Sequence, residues 1–340
     1  MLFLDYRHHF SAAPLVSVLS MPFGIESTQG GDLTKTSKLQ KQLSALASAH
    51  PGRVGICAQA SASRVVCVNG DRRFSLQSVM KVVVGVAAMR AVDEGRLTLS
   101  DPILIRREDL SVNIQPIADI VDKDGSFQTN IGDLIRRAVV ESDSAATDVL
   151  IAKLGGVNAI RNFLLGAGFD EIGIDRTERE LQTETVGLKW QPSFVFPKAL
   201  NAARDGVPDK QRAAAFEAYL TDKRDTATPR GMSAFLYALA SGQLLSPTST
   251  MRFLEVMANT VTFPDRLRAG TPDGWTVMHK TGTSQSYKGV NGVTNDVGIL
   301  RAPDGGFVAI AAFVAESRAS SADRAAVIAN AARAVTSGHR

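Results

Sequence analysis

Runs rich in strand-forming residues lie near both ends of this 340-residue chain, with helical stretches between them. Near the start come "RVGICAQA" and "SRVVCVNG", separated by a Ser/Ala turn, and they read as a hairpin. Near the end come "WTVMHKTGT", "TNDVGILRA" and "GGFVAIAAFVA". Strands so far apart in sequence share a sheet when the chain returns to where it began. The order predicts an α+β fold: one antiparallel sheet built from N- and C-terminal strands, flanked by helices, with an all-helical subdomain between them.

The helical stretches refine this plan. Residues 37–49 carry Leu39, Leu43 and Leu46 at helical spacing, and Pro51-Gly52 ends that run. From Ser78 to about Val92 the helical surface is apolar nearly all round, which predicts a helix inside the core. Two further helices are expected within 131–155, stopped by Gly155-Gly156. Others are expected over 229–241, 246–259 and 322–336. Residues 26–36 read as a polar linker, so 1–36 is expected to be a leader or flexible segment ahead of one domain, 37–340. Within it the α/β part covers about 37–80 and 229–340, and the helical part about 81–228.

Composition narrows the chemistry. The formal charge of +4 is spread along the chain, with no Lys/Arg block interleaved with aromatics, so nucleic acid is not an expected partner. There are two cysteines and five histidines but no CxxC, HxH or HExxH pattern. No metal or other cofactor is expected, and hydrolytic chemistry would have to come from side chains. Cys57 and Cys67 are equidistant from Ala62 at the hairpin turn. A disulfide fits a close, non-hydrogen-bonded pair there, and two buried free thiols are the alternative. Arg7, His8 and His9 precede an apolar run, residues 11–25, that is similar to an export signal. Asp5, Pro14, Pro22 and the lack of a small-x-small cleavage site depart from it, and a disordered or misassigned leader is the competing reading. No run of 18 apolar residues occurs, so no membrane span is expected.

The stretch "FSLQSVMKV" places Ser78 and Lys81 three apart. If Ser78 opens the buried helix, Lys81 lies one turn on, on the same face. The serine then sits at the positive end of the helix dipole, and a desolvated lysine can serve as its base. The bland alternative is a serine cap followed by a solvated lysine. Three more patterns bear on the choice: Ser142-Asp143-Ser144 between two helices, Arg176-Thr177-Glu178 in a charged loop, and Lys280-Thr281-Gly282-Thr283 on a strand. Each is weak alone, and their order and placement are jointly specific.

With these four motifs, and with flanking text such as "TPRGMSAFLYALASGQLL" and "GWTVMHKTGTS", the chain resembles the class A serine β-lactamases from about Leu39 to Val335. The form "TNDVGI", with Asp148 after the second motif, is most similar to the extended-spectrum branch. The resemblance implies a periplasmic or secreted, monomeric enzyme acting on a small β-lactam. It implies that Ser78 is acylated, that Lys81 is its base or proton relay, and that Ser142 passes a proton to the departing lactam nitrogen. Glu178 would activate the deacylating water, Lys280 and Thr281 would bind the substrate carboxylate, and the N–H groups of Ser78 and Thr283 would form the oxyanion hole. Asp143 is expected to fix its loop through hydrogen bonds, Arg176 to pair with Asp225, and Asn295-Asp296 to serve packing.

Three departures bear on the implied activity. The second motif ends in Ser144 where asparagine is usual, and serine has one donor where an amide has two. Gln182 stands where asparagine commonly helps hold the deacylating water. The segment between Glu178 and Lys280 is long, with an insert at about 183–224. It includes a short amphipathic helix with Phe216, Tyr219 and Leu220 on one side, and Trp190, Phe194 and Phe196, which are expected to anchor the insert rather than cover the site. No arginine follows closely on the third-motif strand, and Arg324 is a remote substitute for one. Two alternatives follow: a D-Ala-D-Ala peptidase or esterase of the same fold, and a penicillin receptor that is acylated and stays so.

Overall fold

The structure, a computed structural model, describes residues 28–338. The export-signal-like run therefore lies outside the described residues. The first helix, α1 (Thr28–Ala49), begins within the stretch expected to be a flexible linker. Once nucleated, a helix extends by one hydrogen bond per added residue and needs no apolar face to do so.

The hairpin forms as expected from β1 (Arg53–Gln59) and β2 (Val65–Val68). Cys57 lies directly opposite Cys67, with Cα atoms 4.2 Å apart, and the two are joined as a disulfide. The sheet is completed by β3 (Thr276–Thr283), β4 (Val290–Arg301) and β5 (Phe307–Ser317), with the short strand Ser286–Tyr287 also pairing with β4. The order is β2-β1-β5-β4-β3, with every neighbouring pair antiparallel. The N-terminal strands thus join the C-terminal ones through β1 and β5, and β3 lies at an edge.

The apolar run in β5 explains the layering. Val308, Ile310, Ala312 and Val314 face one side, where they pack with Leu43 of α1 and with Ile328 and Val335 of the last helix, Ser321–Ser337. Ala309, Ala311, Phe313 and Ala315 face the other side and join the main core. A strand buried on both faces reads as continuous rather than alternating apolar sequence. That main core surrounds α2 (Met80–Asp93), whose residues from Met80 to Met89 are all buried.

After the helix Ile131–Arg136 the chain widens into a π-helical turn, Arg137–Glu141, and breaks at Ser142 before α3 (Ser144–Lys153). Next come α4 (Glu178–Glu184) and then the insert, which holds two helices, α5 (Pro197–Asp205) and α6 (Asp209–Thr221), where one was expected. Phe194 and Trp190 anchor it in a small cluster with Val112 and Leu200. Phe196 does not join them: it is 48% exposed, beneath the guanidinium of Arg107. Among the described residues no single helix is long and apolar enough to cross a membrane.

Candidate active site

Ser78 lies in a 3₁₀ turn, Gln77–Val79, that runs straight into α2. Its side chain makes no capping hydrogen bond to either element. Lys81 is fully buried. Both parts of the bland reading, the serine cap and the solvated lysine, are therefore absent. Ser78 stays partly exposed in surroundings that are otherwise buried.

The Lys81 ammonium is held by four groups. It donates to the Ser142 carbonyl at 2.6 Å and to the hydroxyls of Ser144 at 3.3 Å and Ser142 at 3.4 Å. It also pairs with Glu178 Oε1 at 3.2 Å. Lys280 donates to Ser142 Oγ at 3.0 Å, so the Ser142 hydroxyl bridges the two lysines. Ser142 adopts φ 62°, ψ 32°, a left-handed conformation uncommon for serine that turns the chain between the two helices. Asp143 holds this turn by accepting from the N–H groups of Ala146 (2.9 Å) and Ile117 (2.8 Å), the structural part expected of it.

Burial pushes Lys280 well below the usual lysine range, with the Lys81 charge adding to the effect and Glu178 and Asp296 opposing it. Thr281 is buried beside it, its hydroxyl 2.6 Å from that of Thr262. Gly282 allows the strand to approach Ser78: a Cβ there would lie 2.6 Å from Leu76 O and 3.3 Å from Ser78 N. Ser284 N donates to Val293 O, so Thr283, one residue back, turns its own N–H toward the free edge of β3. That edge faces the turn carrying Ser78. Asn295 reaches across from β4 and donates to the carbonyls of Ser75 (2.8 Å) and Leu76 (3.1 Å), and Asp296 contacts His279 at 3.0 Å. Both do packing work, as expected.

Glu178 is the first residue of α4, whose start is fixed by a reciprocal cap between Thr177 and Glu180. Its side chain is 1% exposed. Asp148 of α3 holds it from behind, accepting from the N–H groups of Glu178 (2.7 Å) and Arg179 (3.2 Å) and from the Ser111 hydroxyl (2.7 Å). Burial raises the Asp148 carboxyl to about 6, with the Ser111 bond opposing the shift and the Glu178 charge adding to it. Arg176 pins the loop through Asp225 at 2.6 Å, as expected, and through Glu184 and Asp222. Gln182, also buried, donates to Glu178 Oε2 at 3.3 Å and to Gln77 Oε1 at 2.8 Å.

The fold therefore brings Ser78, Lys81, Ser142, Ser144, Glu178, Gln182, Lys280, Thr281 and Thr283 to one place. Two further side chains belong there without carrying a motif. Gln77 opens the turn that carries Ser78 and accepts from Gln182. Arg266, 1% exposed, donates to Thr283 Oγ1 at 2.7 Å and to the carbonyls of Asn295 and Gly282. It, and not Arg324, is the cation against the third-motif strand; Arg324 bonds Thr294 on the neighbouring strand. No spacing in the sequence marks Arg266, because its proximity arises from how the chain before β3 folds back. Among the described residues no cluster of histidine, cysteine, aspartate or glutamate is placed to hold a metal ion.

Comparison with known proteins agrees with this geometry. A family profile described as "Beta-lactamase enzyme family" matches residues 38–338. The chain is 27% identical over 311 residues to β-lactamase VEB-1 of Pseudomonas aeruginosa, covering 90% of this chain and 91% of the relative. It is 27% identical over 267 residues to the extended-spectrum β-lactamase PER-1 of the same species, covering 78% and 75%. The solved structure of the class A β-lactamase of the last common ancestor of Gram-negative bacteria (GNCA4) superposes with a TM-score of 0.71 at 30% identity, covering 89% and 99%. A β-lactamase from Chitinophaga pinensis superposes with a TM-score of 0.72 at 25% identity, covering 89% of this chain and 99% of that one. The fold is the α+β fold of the class A β-lactamases. The chain belongs to the class A β-lactamase family.

Proposed function

We propose that this protein hydrolyses the β-lactam amide of penicillins and cephalosporins through an acyl-enzyme on Ser78. The observation that carries the reading is Lys81: buried one helical turn from Ser78 and in contact with Ser142, Ser144 and Glu178. Ser78 Oγ attacks the lactam carbonyl, and its proton passes to the Lys81–Glu178 pair. The N–H groups of Ser78 and Thr283 stabilise the oxyanion, each donor worth roughly 3 kcal/mol. The C–N bond then breaks, and the Ser142 hydroxyl delivers a proton to the lactam nitrogen and regains one from Lys81. Glu178 takes a proton from water, whose oxygen attacks the ester, and that proton returns through Lys81 to Ser78 Oγ as it leaves. Lys280 and Thr281 bind the substrate carboxylate, and Arg266 behind Thr283 adds positive charge to that wall. Ser144 and Gln182 line the substrate and water positions. The disulfide suits an oxidising compartment, which fits a periplasmic or secreted monomer.

One observation favours a second reading, a receptor that is acylated and not released. Both N–H groups of Gln182 are engaged by protein partners, leaving none for a water. A peptidase reading is weaker, because the Lys81–Glu178 pair has no part in it. Mixing the purified protein with a chromogenic cephalosporin while following turnover and intact mass separates the three. Steady turnover, lost by about 10⁴-fold or more in Ser78→Ala, is expected. A stable adduct without turnover supports the receptor. Neither turnover nor adduct overturns the β-lactam reading.

A further inference from the structure

The insert is more than bulk on the surface: its two helices connect to Gln182 through different partners, Tyr219 by way of Gln77 and Arg204 by way of Asn113. We propose that Tyr219 on α6 is a positioning residue for deacylation, acting through Gln77 and Gln182 on Glu178. The inference deepens the hydrolase reading and rests on it.

The contacts form a continuous chain. The buried Tyr219 hydroxyl accepts from Gln77 Nε2 at 2.7 Å. Gln77 Oε1 accepts from Gln182 Nε2 at 2.8 Å, and that same nitrogen donates to Glu178 Oε2 at 3.3 Å. On the far side, Gln182 Oε1 accepts from Asn113 Nδ2 at 3.2 Å, and Asn113 Oδ1 accepts from Arg204 of α5 at 2.5 Å. Both ends of the chain are thus residues of the insert.

A glutamine has one more rotatable bond than the asparagine usual at this place, so its amide needs an outside restraint to stay on Glu178. Gln77 supplies that restraint. It is itself held at φ 48°, a conformation that costs a non-glycine residue about 1 kcal/mol or more. Tyr219 has a built seat. A Cβ at Gly292 of β4 would lie 2.6 Å from its ring, so the ring rests directly on the strand backbone. Ser75 and Ser284 stand beside its hydroxyl.

The turn that carries Ser78 has restraints besides this chain. The carbonyls of Ser75 and Leu76 are held by Asn295, and Leu76 N donates to Asp225 O at 2.9 Å. Loss of the Tyr219 hydroxyl therefore acts on the Glu178 side and spares acylation.

The test is Tyr219→Phe in the full chain, which keeps the ring on Gly292, assayed with a chromogenic cephalosporin. We expect kcat and KM to fall together, roughly tenfold each, with kcat/KM kept within about twofold. The acyl-enzyme seen by intact mass at steady state should rise. Gln77→Ala breaks the chain at its next link and should give the same pattern, should Tyr219→Phe not fold. In the Gln77→Ala background, Tyr219→Phe should add less than about twofold. Unchanged kcat and KM in either folded variant, or a fall in kcat/KM at constant KM, overturns the proposal while leaving wild-type hydrolysis intact. Wild-type protein that forms an adduct without turnover overturns the hydrolase reading and this proposal together.

Discussion

Ser78, Lys81 and Lys280 are carried by the buried helix α2, the turn leading into it and a sheet strand, whereas Glu178 and Gln182 are carried by a short helix fixed largely by polar contacts. Lys81 sits on the buried helix α2, Ser78 on the 3₁₀ turn that leads into it and Lys280 on strand β3, with α2 packed into the main core. The second group sits on a two-turn helix whose Leu181 joins the main core and which is otherwise held by polar contacts: Asp148 at its start, the Arg176–Asp225 pair before it, and Gln77 against Gln182. Core packing is non-directional and redundant, so the acyl-accepting half tolerates the loss of single polar contacts. Buried polar networks are not redundant, since each lost partner strands another group. The two halves of one reaction should therefore fail in different ways.

The sharpest way to separate them is Glu178→Ala. Acylation should persist through Lys81 while kcat falls by about 10³-fold, because general-base help of that order is lost in deacylation, where no other group activates the water. Intact mass should show the trapped acyl-enzyme, and a variant that still turned over normally would remove Glu178 from the deacylating role. Next in size, Arg176→Ala leaves the buried Asp225 carboxylate without its ion partner. Urea unfolding should show a loss of about 3–5 kcal/mol, or selective melting of the loop. A stability change within error would mean that Glu184, Asp222 and the backbone hold the loop without it.

The smallest effect concerns pH. Asp148 is raised to about 6 in the folded state by burial, with the Glu178 charge adding and the Ser111 bond opposing. Between the ordinary carboxylate range and about pH 6 the folded protein keeps this proton and the unfolded chain has lost it. The contribution of Asp148 to stability is therefore highest below that window and falls as pH rises through it. Asp148→Asn should flatten this fall when urea midpoints are compared from pH 4 to 7. Parallel curves for the two proteins would show that Asp148 titrates normally.

Much of the fold was legible because its signals are local or periodic. The apolar runs of β3, β4 and β5, the all-apolar face of α2 and the symmetric spacing of Cys57 and Cys67 about Ala62 each find their expected place. The four motifs were legible through their order, and Arg176 with Asp225 through the resemblance. The second helix of the insert escaped notice because α5 carries few apolar residues and buries only Leu200. The start of α1 escaped notice because a helix can run on through polar sequence.

What the sequence determined by itself, then, is the set of proposed reacting groups, Ser78 with Lys81, Ser142, Glu178 and Lys280, through the order of their motifs, and the sheet, through its periodicity. Tertiary structure alone decided that Lys81 is wholly buried, that Arg266 backs Thr283, and that Tyr219 reaches Gln77 across 142 positions. The reason is physical. Periodicity and motif order arise from neighbours along the chain, whereas burial and hydrogen-bond partners arise from elements that meet only when the core closes.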